Sequence, residues 1–286
     1  MVKKHANSNG IHRLVDEDMA FEDLKDIEEY ILSFYKTLYD FSDTNNVFTN
    51  FREDMIVAHI PRVVSKDENS MLVKCPFNDE IRKVVFALYS DSAPGPNGFG
   101  GSFFHGCWDI VGSDVCNAIK QFFSHNWILL GMNANVVSLI PKIHGSTSIK
   151  DFKPIVVAKF RFKIISKILI DKLASIAARI VSPNQNDFIK GWHIKDCIGI
   201  TSEAINMLSK KIIGGNVAFK IDISKAFDSL SWDFLIKVLK QFGFHHTFLQ
   251  WILTILQSAK FSIRVNSSLV GYFSYSRVSR VTFLHC

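Results

Sequence analysis

Apolar residues recur at helical spacing over much of the chain and alternate with polar ones in a few short runs. Phe21, Leu24, Ile27, Ile31, Phe34 or Tyr35 and Leu38 predict a helix with an acidic opposite face, ended by DFSDTNN (40–46). Residues 1–17 are polar and are expected to be disordered or loosely attached. Residues 47–77 show no clear period and are broken by Pro61 and Pro76. Asn78 is placed to cap a helix with Asp79 and Glu80 in its first turn and Ile81, Val84, Val85 and Leu88 on its apolar face. SDSAPGPNGFGG (90–101) is a loop, and a helix from about Ser102 to Ser124 carries Phe104, Trp108, Val111, Val115, Ile119 and Phe122 as a stripe.

Further on, ANVVSLIPK (134–142) and DFKPIVVA (151–158) read as strands. FKIISKILIDKLASIAARI (162–180) reads as an amphipathic helix with Ile165, Ile168, Leu169, Leu173, Ile176 and Ile180 inward, and KDCIGITSEAINMLSKK (195–211) as another. SPNQNDFIKGW (182–192) is a loop, and Gly214-Gly215 a turn. Val217–Ser224 reads as a strand, with Val217, Phe219, Ile221 and Ile223 on one face and Ala218, Lys220, Asp222 and Ser224 on the other. A helix from about Leu230 to Phe242 is stopped by Gly243. Thr247 and Gln250 have capping-box spacing before Phe248–Leu256, and KFSIRVN and LVGYFSYS flank Ser267-Ser268 as a β-hairpin.

Composition narrows the class. Of 286 residues, 48% are hydrophobic, enough for one large or two modest cores, and 25 Phe make those cores aromatic-rich. No run is long and apolar enough to span a bilayer, and the N-terminus lacks a signal-peptide pattern, so the expectation is a soluble intracellular protein without a membrane partner, in the nucleus or cytoplasm. The five cysteines form no CxxC pair and read as reduced thiols; a zinc site on His105, Cys107 and Cys116 is the weaker alternative. Net charge is +6 and uneven. Eight acidic residues and one Lys lie between Asp16 and Glu29, whereas Lys142–Arg179 holds nine basic residues against Asp151 and Asp171. That basic segment suits a polyanion, or equally a solvated helix face.

Asp222 ends its strand on the open face, where a carboxylate suits a hard cation such as Mg²⁺; turn formation or capping is the structural alternative. Asp228, next to Ser229, fits the start of the following helix. Strand-end placement also fits a Mg²⁺ phosphohydrolase, but no further carboxylates or histidines stand at strand ends. APGPNGFGG lacks the Gly-Lys-Ser/Thr ending of a P-loop.

Order and spacing add more. APGPNGF (93–99), LIPK (139–142), DFKPI (151–155), KIISKIL (163–169), SPNQNDFI (182–189) and KIDISKAFDSLSWDFL (220–235) together closely resemble the reverse transcriptase of LINE-type non-LTR retrotransposons, the plant branch in particular. The resemblance runs from about residue 20 to 276. It implies an α+β right-hand polymerase fold with a helical connector at 18–77, fingers at 78–216 and a partial palm at 217–286. It implies RNA-directed DNA polymerase activity on an RNA template and a DNA primer with deoxynucleoside triphosphates, by two-metal transfer with Mg²⁺ or Mn²⁺. Asp222 would be the first metal-binding aspartate, with the Ile223 carbonyl as a further ligand. Phe227 would exclude a ribose 2′-hydroxyl, and Lys142 and Lys153 would meet the triphosphate. Lys163, Lys167 and Lys172 would track template backbone, with Gln185 and Phe188 near the template.

The chain departs from that pattern at several places. Lys153 and Trp192 stand where the family commonly has Arg, and Lys lacks the bidentate fork of Arg. After GYFSYSR (271–277) the family continues into a Gly-Gln-Gly-Asp-Pro-like segment and later an Asp-Asp turn; here VSRVTFLHC follows, and no Asp or Glu occurs after Asp233. The expectation is a reverse transcriptase truncated within the palm and inactive alone. The alternatives are a non-enzymatic nucleic-acid-binding remnant, or a pseudogene-like product that does not fold stably.

Overall fold

The computed structural model describes residues 10–17, 19–39, 47–91, 94–182, 194–208, 210, 214–219 and 230–274. Strands β1 (Leu14–Asp16) and β2 (Met19–Phe21) form a small hairpin. Helices α1 (Leu24–Tyr39), α2 (Val47–Ala58), α3 (Lys66–Leu72), α4 (Asn78–Ala87), α5 (Gly101–Gly106) and α6 (Trp108–His125) follow. Next come β3 (Ala134–Pro141), β4 (Phe152–Val157), α7 (Phe160–Ile180) and α8 (Ile194–Leu208). Helices α9 (Trp232–Phe242) and α10 (His246–Ser258) and strands β5 (Lys260–Val265) and β6 (Ser268–Phe273) complete the series. The class is α+β, as the resemblance implies.

The four-stranded sheet has the order β4-β3-β5-β6. β3 pairs antiparallel with β4 and parallel with β5, so the sheet joins strands from both sides of residue 217. One sheet face is closed by α1, where Ile27, Ile31 and Tyr35 meet Val137, Leu139, Phe261, Ile263 and Val265. A second, larger core is helical and aromatic: Phe104 stacks on Phe160 at 4.8 Å, and Phe123 meets Trp251 edge-on at 4.9 Å.

Several local expectations are corrected. Residues 10–17 are not a loose tail: Leu14 is fully buried, Ile11 N donates to Asn266 Oδ1 at 2.7 Å and Val15 N to Thr147 O at 2.8 Å. The apolar Ile11 and Leu14 seat this stretch against the sheet. The ambiguous 47–77 region contains α2 and α3, and α3 begins with a capping box between Ser65 and Glu68. Asn78 is already inside α4, whose cap position is Phe77. The single helix expected over 102–124 breaks at Cys107. His245, not Thr247, caps α10, with Nδ1 accepting from Thr247 N at 3.2 Å. The β5–β6 turn falls on Asn266 and Ser267, leaving Ser268 in β6. Gly243 caps α9 in the left-handed region at φ 94°, as expected.

The strand expected at 217–224 is not seen where it is described. Val217–Phe219 form no regular element, and Val217 and Phe219 are 74% and 86% exposed rather than packed.

Candidate nucleic-acid interface

The β3–β4 hairpin builds the first part of the site. Alternation along β3 puts Val137 and Leu139 into the α1-side core and turns Ser138 and Ile140 to the opposite face. Ile140 pairs with Lys153, and Lys142 N donates to Asp151 O at 2.8 Å beyond the last rung. Lys142 and Lys153 therefore stand at the same end of the ladder, both exposed. Buried Ile149 and Phe152 anchor the returning chain, and Lys142 Nζ donates to Lys150 O at 2.7 Å. Pro154, which cannot donate a ladder hydrogen bond, is tolerated because β4 is an edge strand.

The PGPNGF stretch (94–99) lies against the start of α7. Gly95 is buried, and a Cβ there would come within 2.7 Å of Lys159 Cα and 2.9 Å of Ala158 O, so the loop's approach requires glycine. Lys159 Nζ donates to Gly131 O at 2.6 Å; burial, and then the charge of Arg161, hold its ammonium below its ordinary pKa. Lys159 is thus a structural tie beneath the loop.

The three α7 lysines do not act as one row. Lys163 and Lys167 are a turn apart, but Lys172 lies about 180° round the helix from Lys163. Lys167 pairs with Asp171 at 2.7 Å. Lys172 Nζ donates to Lys74 O at 2.8 Å, close to the end of α3, and burial chiefly holds its pKa down. Nearby, Arg179 pairs with Glu68, whose carboxyl is held below its ordinary pKa chiefly by hydrogen bonding from Ser65. Asp222, Ile223, Phe227, Asp228, Gln185, Phe188 and Trp192 lie outside the described residues.

Among the described residues no group of three His, Cys, Asp or Glu side chains could hold a metal ion. His105 Nε2 instead contacts Val85 O at 2.8 Å, and its ring stacks on Phe86. Sequence pattern missed the parallel pairing of β3 with β5, which sets Arg264 opposite Ser138 on the face shared with Lys153. Alternation in KFSIRV indicated Arg264's face, but no local signal names a parallel partner.

Residues 140–280 match the family described as reverse transcriptase (RNA-dependent DNA polymerase). Within that match the chain is similar to reverse transcriptases. It is 26% identical over 277 residues to a Xenopus laevis protein named "Transposon TX1 uncharacterized 149 kDa protein". The alignment covers 96% of this chain and 21% of that relative, so the chain spans about a fifth of the relative's length. Reverse transcriptases as a family use a nucleic-acid template, nucleotide substrates and divalent metal ions. The match begins at Ile140, one residue before the end of β3, and includes the β3–β4 turn, α7 and the β5–β6 hairpin.

Proposed function

We propose that this chain grips an RNA template and an incoming deoxynucleoside triphosphate for RNA-directed DNA synthesis. The carrying observation is that Lys142 and Lys153 both stand at the loop end of the β3–β4 pair. Two ammonium groups there suit the oxygens of a triphosphate. Phe227 is assigned to the nucleotide's sugar, and Lys163 and Lys167, with Gln185 and Phe188, to the template. Lys172 is assigned a smaller share, because it lies on the side of α7 away from Lys163. Residues 78–216 form the fingers and 217–286 part of the palm in this reading, with a DNA primer as the second strand.

The metal-binding role is assigned to Asp222 and the carbonyl of Ile223. The described residues do not supply a ligand set for that ion. A two-metal polymerase shares its ions among several carboxylates, of which Asp222 is assigned as one.

Filter binding of a poly(rA)–oligo(dT) hybrid tests the reading. Affinity should be measurable at low salt and fall steeply as salt rises, with a log–log slope set by the phosphates contacted. Lys163→Ala should reduce that affinity more than Lys172→Ala. No binding at low salt would sink the proposal. In primer extension with Mg²⁺, incorporation that Asp222→Asn abolishes would support the metal-binding role of Asp222, and incorporation that survives the substitution would overturn it.

A further inference from the structure

We propose that Arg264 is a third cation of the triphosphate site, acting across the open sheet face with Lys153. This rests on the reading of Lys142 and Lys153 above, and it adds a residue from a part of the chain more than a hundred positions away.

The register makes the case. β5 buries Phe261, Ile263 and Val265 against the α1-side core, so Ser262 and Arg264 must emerge on the opposite face. Arg264 pairs with Ser138, and Ser138 lies two residues before Ile140, the partner of Lys153. Two strand spacings of about 4.8 Å and a two-residue step of about 6.7 Å place the two Cα atoms about 12 Å apart. Two long basic side chains leaning toward each other across Ser138 and Ile140 can then contact successive phosphates of one polyphosphate.

The surroundings favour an anion. The four strands contain no Asp or Glu. The ion pairs among the described residues involve neither Lys153 nor Arg264. The face also opens toward this end: Val136 is buried, whereas Ile140 is 48% exposed. Arg264 carries the planar fork that takes two phosphate oxygens at once, which Lys153 lacks. The guanidinium on β5 thus supplies bidentate contact beside a lysine that supplies charge alone. Template phosphates have the same oxygen chemistry; the triphosphate is favoured because Lys142 and Lys153 already converge at that end of the sheet.

The test titrates the full chain with a fluorescent dTTP analogue and, separately, with an end-labelled single-stranded RNA. Arg264→Gln should weaken dTTP binding roughly tenfold or more, with RNA binding changed less than about twofold. Arg264→Lys should fall between, because charge survives and the fork does not. Arg264 is exposed, so the melting temperature should hold, and Arg264→Lys provides the readout if the Gln variant does not fold. If Lys153→Gln weakens dTTP binding and Arg264→Gln does not, Arg264 is overturned while the lysine reading stands. If Arg264→Gln weakens RNA and spares dTTP, the residue belongs to the template and the proposal fails. Wild-type chain that binds no dTTP, or binds it unaffected by either substitution, overturns both.

Discussion

Replacing Asn133 by Ala tests whether the pairing of β3 with β5 depends on one buried amide. Asn133 is 1% exposed and sits just before β3. Its Nδ2 donates to Ile255 O at 2.9 Å and Ser258 Oγ at 3.0 Å, both in α10. Its Oδ1 accepts from Asn135 Nδ2 at 3.0 Å, and its carbonyl accepts from Lys260 N at 3.0 Å, next to the first β3–β5 rung. Ala keeps the carbonyl bond and loses the three side-chain ones. Ile255 O retains a bond from Ser258 Oγ at 3.1 Å, and Asn135 Nδ2 retains its longer bond to Asn133 O at 3.4 Å, so neither partner is left orphaned. At about 1 kcal/mol for each lost bond, the cost is about 2–3 kcal/mol. That corresponds to a fall of about 4–8 °C in melting temperature. Asn135→Ala is the control. It removes both bonds to Asn133, 3.0 Å to Oδ1 and 3.4 Å to the carbonyl, but also a buried Oδ1 that has no hydrogen-bond partner among the described residues. Those effects oppose each other, so its cost should stay below about 1 kcal/mol. Urea unfolding followed by tryptophan fluorescence measures both. An Asn133→Ala cost below about 0.5 kcal/mol, or an Asn135→Ala cost as large, would refute the reasoning.

Other expectations concern the supports of the site. Gly98→Ala, at φ 78° with no neighbour within 4 Å, should cost about 1 kcal/mol for backbone strain alone. Gly243→Ala should cost about 1 kcal/mol more, since its Cβ would lie 2.8 Å from Arg62 Cγ, and urea unfolding in an Arg62→Ala background should remove that excess. Ser65→Ala, which opens the α3 capping box, should cost about 1 kcal/mol by the same measurement. Burial first, and then the Asp16 carboxylate, push the Tyr30 hydroxyl up to about 12 from 10.0. Its folded pKa is raised, so the unfolded chain ionises first and stability falls as pH rises from about 10 towards 12. Tyr30→Phe should flatten that alkaline loss in melting temperature, and an unchanged pH profile would refute the assignment.

Helix existence was legible because period and length agreed. The stripe Ile165, Ile168, Leu169 and Ile176 in α7 is buried as its spacing predicts, and Gly243 marked the end of α9. Boundaries that depend on competing caps were not. At α10 the His245 ring took the capping role that Thr247-to-Gln250 spacing suggested, and at α4 Asn78 entered the helix instead of capping it. Long-range ties were also invisible to pattern. Asn69 Nδ2 donates to Gly243 O at 2.8 Å, and its Oδ1 accepts from His245 N at 2.7 Å, locking α3 to the α9–α10 turn across 174 and 176 positions. Nothing in the run KDENSML indicates that partner. Within the site, the two strands carrying Lys142 and Lys153 were legible one by one, but their pairing was not. The turn of Lys172 towards Lys74 depends on where α3 packs, which the basic count of the segment does not encode.

The parallel β3–β5 pairing connects these observations. A parallel pair has no turn to set its register. Here the register is held at one end by Asn133, through its carbonyl to Lys260 N and its amide to α10. It is held across the sheet by Val137, Ile263 and Val265 packing beneath α1. A slip of one residue would turn Ile263 and Val265 outward and Arg264 into the apolar core, which burial of a lone guanidinium forbids. The hydrophobic face therefore fixes where the cation appears. The α1 helix closes the side of the sheet opposite the lysines, so the N-terminal elements govern the geometry of the basic face without contributing a residue to it.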